Sequence, residues 1–193
     1  MKIAVFTDTF IPEINGVVTS AKKLLIGLEK RGHGIIVFSP KYATNIDHIG
    51  KAIKIIRYPS ASLPNYKEVR FVLPNAPDIA NRIRLFKPDV IYSLTPASMG
   101  LVALSIAKMF NTPLVSTFHT FVADPEYLKH IKLDKIKGAD KAIWKWCNTV
   151  LNRCNAITSP SKATKKELQA NGVKKSIKVI SNGIDTSKIK QKS

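Results

Sequence analysis

Apolar residues along this chain alternate between short continuous runs and stretches that repeat every three to four positions. Lys2 to Thr7 is a brief apolar run suited to a strand buried on both faces. From Asn15 the period changes: Val17, Val18, Ala21, Leu24, Leu25 and Leu28 share one side of a helix. Asn15 is placed to cap that helix and Gly32 to stop it, with Lys30 and Arg31 completing its last turn. Gly34 to Ser39 and Ala52 to Tyr58 read as strands, joined by a polar connection that carries His48. Helices are expected at Pro77 to Phe86, Ser98 to Phe110, Asp124 to Asn152 and Ser161 to Asn171. Strands are expected between and after them, at Val90 to Leu94, Leu114 to Phe118, Ala156 to Ser159 and Ile177 to Ser181.

About seven strands separated by helices predict an α/β fold, a doubly wound, mostly parallel Rossmann-like sheet. The pattern has no internal repeat and no interdomain linker, so residues 1–185 read as one domain and residues 186–193 as a basic tail. In such a sheet, ligands bind outside the carboxyl ends of the strands. The polar segments that follow strands directly are Asp8 to Gly16, Thr95-Pro96, His119-Thr120, Ser159 to Ser161 and Asn182-Gly183. These form the candidate site.

Charge adds a second constraint. Thirty-one Lys and Arg oppose thirteen Asp and Glu, a formal net charge of +18, which favours anionic partners: nucleic acid, an acidic membrane surface or phosphorylated ligands. No apolar run reaches the roughly 18 residues that a membrane span requires. The N-terminal apolar stretch meets Asp8 too soon for a signal peptide. A cytoplasmic protein is expected, with peripheral attachment to the cytoplasmic membrane face left open. Cys147 and Cys154, about 10 Å apart if helical, are too distant for a disulfide and read as core residues. The four histidines are scattered, so the pattern predicts neither a metal site nor a cofactor.

Two positions carry candidate chemistry. The loop Thr9 to Gly16 brings backbone N–H groups to a helix N-terminus, with no side chain on Gly16 to obstruct an anion. The alternative is a tight turn that needs a flexible residue. His119 ends an apolar strand, where its imidazole could bond a sugar hydroxyl or a phosphate; a structural histidine is the alternative. Glycine-rich dinucleotide and Walker loops are absent, as are a nucleophile elbow and a pair of carboxylates at hydrolase spacing. Ala142 to Leu151 reads as a helix buried against the sheet rather than as a basic amphipathic membrane helix. The better membrane candidate is Leu63 to Arg84, where Lys67, Arg70, Arg82 and Arg84 mix with apolar residues; a solvated face is the alternative there.

Four motifs in order resemble the family-4 retaining glycosyltransferases: Phe6 to Ser20, Phe118-His119-Thr120, Asn155 to Ser161 and Val179 to Asp185. The first of them is similar to the subgroup of diacylglycerol glucosyltransferases and phosphatidylinositol mannosyltransferases. The resemblance implies the GT-B fold, in which an N-terminal acceptor-side domain and a C-terminal donor-binding domain face a cleft. It implies that Gly16 approaches the diphosphate of a nucleotide-sugar donor and that His119 is the catalytic contact to the transferred sugar. Asn15, Arg70, Thr120 and Tyr127 become acceptor-side residues by the same resemblance, although Tyr127 falls later than the family spacing expects. The family usually needs no metal.

On this reading the chain ends where the donor-binding domain should begin, so a donor-binding partner domain or subunit is expected to complete the enzyme. The sugar acceptor is expected to be a membrane lipid. The competing reading is a non-catalytic carbohydrate- or lipid-binding module derived from such an enzyme. Nucleic-acid binding ranks last, because no stacking aromatics on a basic sheet face are evident.

Overall fold

The structure is a computed structural model that describes residues 1–44, 46, 48–63, 66–119, 129 and 135–183, at 63 and 66–69 by the backbone alone. Seven parallel strands form one sheet in the order β3-β2-β1-β6-β7-β8-β9. They are β1 (Lys2–Phe6), β2 (Gly34–Pro40), β3 (Ile53–Tyr58), β6 (Val90–Ser93), β7 (Leu114–Thr117), β8 (Ala156–Ser159) and β9 (Ile177–Val179). The helices are α1 (Gly16–Glu29), α2 (Ala76–Phe86), α3 (Ser98–Met109), α4 (Ala139–Leu151) and α5 (Lys162–Ala170). The expected doubly wound α/β fold is present.

The handedness of parallel crossovers decides which face each helix covers. The chain moves one way from β1 to β2 and the other way from β6 through β9, so α1 lies on the opposite face from the remaining helices. Strand side chains alternate to match. Ile3 and Val5 of β1 pack with Val18, Ala21 and Leu25 of α1, while Ala4 and Phe6 join the larger core with α2, α3, α4 and α5. In that core Phe6 stacks on Phe38 at 4.8 Å, and each such buried side chain contributes about 1.5–3 kcal/mol. The strand order reverses between β1 and β6. Their carboxyl ends therefore flank the crevice that this topology opens for ligands.

Two expectations need correction, and one pair of strands was not expected. The membrane candidate Leu63 to Arg84 runs through two elements: β5 (Tyr66–Val72), which pairs antiparallel with β4 (Ser60–Leu63), and α2, the helix expected from Pro77. This hairpin lacks a Gly or Asn-Gly signal at its turn, the cue by which hairpins are read. Within the helical region expected from Asp124 to Asn152, residues 135–138 form a turn, and Gly138, left-handed at φ 83°, precedes the start of α4 at Ala139. Much of residues 120–134 lies outside the described residues. Lys30 and Arg31 fall just beyond α1 rather than in its last turn.

Candidate functional site

The rim of the crevice is held by a buried carboxylate. Asp8, directly after β1, accepts hydrogen bonds from the Thr95 hydroxyl at 2.6 Å, from the Ser98 hydroxyl and from the Met99 N–H at 3.0 Å. The Asp8 N–H donates in turn to Thr95 Oγ1 at 3.0 Å. One side chain thus ties β1, the β6–α3 turn and the N-terminus of α3, where the helix dipole favours negative charge. Burial nevertheless pushes the Asp8 carboxyl up, against the pull of these donors. Three strands end with the same local device: Thr7, Ser93 and Ser159 each donate a hydroxyl hydrogen to a carbonyl two residues on, at Thr9, Thr95 and Ser161. Each bond turns the chain across the rim without leaving a buried hydroxyl unpaired.

From this anchor the loop runs to Gly16. Thr9 donates to Glu13 at 2.5 Å and accepts from Asn15 Nδ2 at 2.9 Å. Asn15 Oδ1 accepts from the Val18 N–H at 2.9 Å, so Asn15 is the N-cap expected. Its side chain is engaged at both ends, which makes it a holder of the loop before it is anything else. Gly16 opens α1, where the N–H groups of Gly16 and Val17 have no intrahelical acceptor. A Cβ built on Gly16 meets nothing within 4 Å. The fold itself leaves room for a side chain there. Residues following β9 return onto α1: Ser20 donates to Asn182 Oδ1 at 2.9 Å and Lys23 Nζ to the Gly183 carbonyl at 3.4 Å.

His119 sits two strands away, beyond the carboxyl end of β7, with β6 between β7 and β1. At a spacing of about 4.8 Å per strand, β1 and β7 are roughly 10 Å apart, so Gly16 and His119 share one rim. Phe118 fixes the strand end: it is buried, its N–H donates to the Thr158 carbonyl at 3.0 Å, and its ring stacks on Trp144 at 5.9 Å. His119 itself is half-buried, and burial holds its pKa below the usual histidine value. The imidazole is therefore neutral at pH 7, with one nitrogen to donate and one to accept. Thr120 and Tyr127 lie outside the described residues.

Arg70, on β5, reaches the rim loop through an alternating stack. Its guanidinium lies 5.0 Å from the Tyr42 ring; Arg57 lies 5.6 Å from the same ring and 5.8 Å from Phe10. The Tyr42 hydroxyl accepts from the Phe10 N–H at 2.9 Å, and burial pushes its pKa up to about 12. Arg70 also donates to Ser60 Oγ at 2.9 Å. Two cations are thereby held on the Tyr42 ring, with Glu13 of the rim loop beside it. The rest of the expected membrane patch is more dispersed. Arg82 is paired with Asp78 at 2.7 Å, Arg84 is exposed and donates to Asn81 at 3.1 Å, and the Lys67 side chain lies outside the described residues.

Sequence reasoning did not single out Tyr42, Arg57, Ser98 or Met99, and it named Thr95 on the rim without linking it to Asp8. Asp8 was visible only as a polar residue after a strand. Its latch joins residues 87 to 91 positions apart, a separation that no local pattern records. Cys147 and Cys154 are free and buried as expected, and burial pushes both thiols up to about 12. Among the described residues no three His, Cys, Asp or Glu side chains group to hold a metal, and no helix is long and apolar enough to cross a membrane.

The chain is 27% identical over 175 residues to a GDP-mannose-dependent alpha-mannosyltransferase of Corynebacterium glutamicum, covering 90% of this chain and 41% of that protein. It is 28% identical over 192 residues to an alpha-monoglucosyldiacylglycerol synthase of Streptococcus pneumoniae, covering 99% of this chain and 42% of that protein. The chain thus spans less than half the length of these relatives. Among solved structures, a UGT transferase from Siraitia grosvenorii in complex with UDP shares the fold with a TM-score of 0.53 at 12% identity, covering 95% of this chain and 51% of that one. The profile of Glycosyltransferase Family 4 matches residues 14–188, nearly the whole chain, and the chain belongs to that family.

Proposed function

We propose that this chain forms the acceptor-side half of a retaining glycosyltransferase that moves a sugar from a nucleotide-sugar donor to a membrane lipid. The observation that carries the reading is the common rim of Gly16 and His119 at the switch point of a parallel sheet. Gly16 offers uncommitted N–H groups and open space to the donor diphosphate. His119, kept neutral by burial, donates or accepts a hydrogen bond at the transferred sugar. A donor-binding domain or subunit closes the other side of the crevice, and the reaction needs no metal cofactor. Arg70, Asn15, Thr120 and Tyr127 belong to the acceptor side in this proposal. The lipid acceptor is supported by the name of the diacylglycerol-linked relative and by the +18 charge, which favours a peripheral site on the cytoplasmic membrane face.

The test is transfer of labelled sugar from nucleotide donors to diacylglycerol or phosphatidylinositol in vesicles, with and without a family-4 donor-binding domain supplied in trans or fused. Transfer is expected only with that domain, and His119→Ala is expected to abolish it. Undiminished transfer by His119→Ala would overturn the assignment of His119. A paired system inert towards every lipid and free-sugar acceptor would overturn the transferase reading.

A further inference from the structure

The helix α4 was expected to be buried against the sheet, and only one face of it is. Cys147, Val150 and Leu151 are buried, and Ile143 and Trp144 pack on the core. On the outer face, Lys141, Lys145 and Thr149 recur at four-residue spacing, with Arg153 immediately beyond the helix end, and all four are exposed. Beside this stripe Trp146 is 45% exposed although it is among the largest apolar side chains in the protein. Its indole N–H donates to the Pro96 carbonyl at 2.9 Å, which fixes the ring where α4 meets the start of α3. Ser98, in the same turn, accepts from the Val72 N–H at 3.2 Å, so the end of β5 borders that turn as well. Phe71 and Leu73, on either side of Val72, are 47% and 63% exposed.

Cations outnumber acids on this side of the molecule. Helix α3, between α2 and α4 on the same face of the sheet, contains no acidic residue and exposes Lys108. On α2, Asp78 is paired with Arg82 while Arg84 is exposed. On α4 the single acid, Asp140 in the first turn, is outnumbered by Lys141 and Lys145, with Arg153 beyond the helix end, and α5 carries Glu167 among Lys162, Lys165 and Lys166. Exposed aromatic and aliphatic side chains set among an excess of cations match the interface of an anionic bilayer: cations at the headgroups, an indole at the boundary with the acyl chains.

We infer that the outer face of α4, with Trp146 as the inserting side chain and Lys141 and Lys145 as headgroup contacts, is a docking surface for an anionic lipid membrane. The inference deepens the lipid-acceptor reading proposed above and rests on it. It places a membrane contact on an element that carries none of the acceptor or donor residues. The apolar band through Phe71, Leu73 and Trp146 then borders the β6–α3 turn, so the rim of the crevice lies close to the lipid that supplies the acceptor.

The chain holds two tryptophans, Trp144 and Trp146, which gives a direct readout. In Trp144→Phe the emission reports on Trp146 alone; the difference between the unsubstituted chain and Trp146→Phe gives the same information if Trp144→Phe misfolds. Co-sedimentation and emission are measured with vesicles of phosphatidylcholine alone, with added phosphatidylglycerol, and with brominated acyl chains. The expected result is binding to the anionic vesicles only, quenching of Trp146 by brominated lipid, and a fall in the partition coefficient of about fivefold for each of Lys141→Gln and Lys145→Gln. Vesicle binding without quenching of Trp146, unchanged in the lysine variants, overturns the α4 surface and leaves the lipid-acceptor reading standing. Absence of binding to any vesicle removes both. Binding to RNA in place of vesicles overturns the membrane as occupant.

Discussion

A single methyl group placed at two glycines should act with opposite sign, and the contrast separates what the fold demands from what a ligand demands. At Gly100, near the start of α3, an added Cβ would lie 2.6 Å from the Thr95 carbonyl oxygen and 3.4 Å from Ser93 Oγ. The nearer contact is backbone, in the turn whose hydroxyl grips Asp8, so relief requires moving the rim. Overpacking of this kind costs about 1–3 kcal/mol, offset by up to about 1 kcal/mol of helix propensity on replacing Gly with Ala. A net loss of about 1–2 kcal/mol lowers the thermal midpoint by about 2–8 °C for a chain of this size. At Gly16 nothing lies within 4 Å of the added atom and φ is not left-handed. Gly16→Ala should therefore leave stability unchanged or raise it by about 0.4–1 kcal/mol. Thermal unfolding followed by circular dichroism, with both variants at one pH, measures the difference. If Gly16→Ala melts as early as Gly100→Ala, the fold itself needs that glycine, and the case for an anion approaching it loses its basis. If Gly16→Ala is stable and the completed enzyme carrying it fails to transfer sugar, the requirement belongs to the ligand.

Four further outcomes follow from individual side chains. Asn15→Ala removes the α1 cap and should cost about 1 kcal/mol in urea unfolding, while Asn15→Asp, which keeps the capping oxygen, should cost less. Asp8→Ala leaves the Thr95 and Ser98 hydroxyls and the Met99 N–H without their acceptor and should cost about 2–4 kcal/mol by the same measurement, with Asp8→Asn less damaging; equal losses would mean that the acceptor geometry is irrelevant. Burial depresses the His119 pKa, so its contribution to stability is fully present above the unfolded value of about 6.5 and is lost as pH falls through the folded value. Melting curves from pH 7.5 downward should accordingly fall less steeply for His119→Gln than for the parent chain. Cys147 and Cys154, with thiols pushed up to about 12, should stay inert to a thiol reagent in the native state and react on unfolding.

The parallel sheet was legible because each of its strands advertises itself locally. Strands buried on both faces tend to be continuously apolar, and the Ile3–Phe6 and Ile35–Phe38 parts of β1 and β2 are short runs of that kind. The β4–β5 hairpin escaped for the converse reason. Only four residues long, β4 is too short to show a clear period, and the hairpin stands as a separate two-stranded sheet that gives Val72 to the main core and leaves Phe71 exposed. Its register is irregular between Ser62 and Leu63, which further blurs a period-two signal. Gly138 shows the limit at a helix boundary. The sequence pattern gives no stop there, and the left-handed φ of Gly138 places the start of α4 at Ala139.

The site was legible in position and illegible in partnership. Once parallel strands are known, their carboxyl ends name the rim, and Asn15, Gly16 and His119 fall on it with no further information. What those residues touch depends on contacts between distant parts of the chain: Asp8 with Ser98, Phe10 with Tyr42, Ser20 with Asn182. Charge obeys the same division. The sum of +18 is a property of the whole chain, but its availability is decided side chain by side chain. Arg82, which stood out in sequence among basic and apolar neighbours, is consumed by Asp78 four residues away. Lys145 lies in a segment whose apolar content suggested burial and Lys141 directly precedes it, and both face solvent. A basic residue thus marks an anion-binding surface only where the fold supplies no carboxylate to meet it first. By that criterion the outer face of α4 is a stronger candidate than the stretch around Arg82.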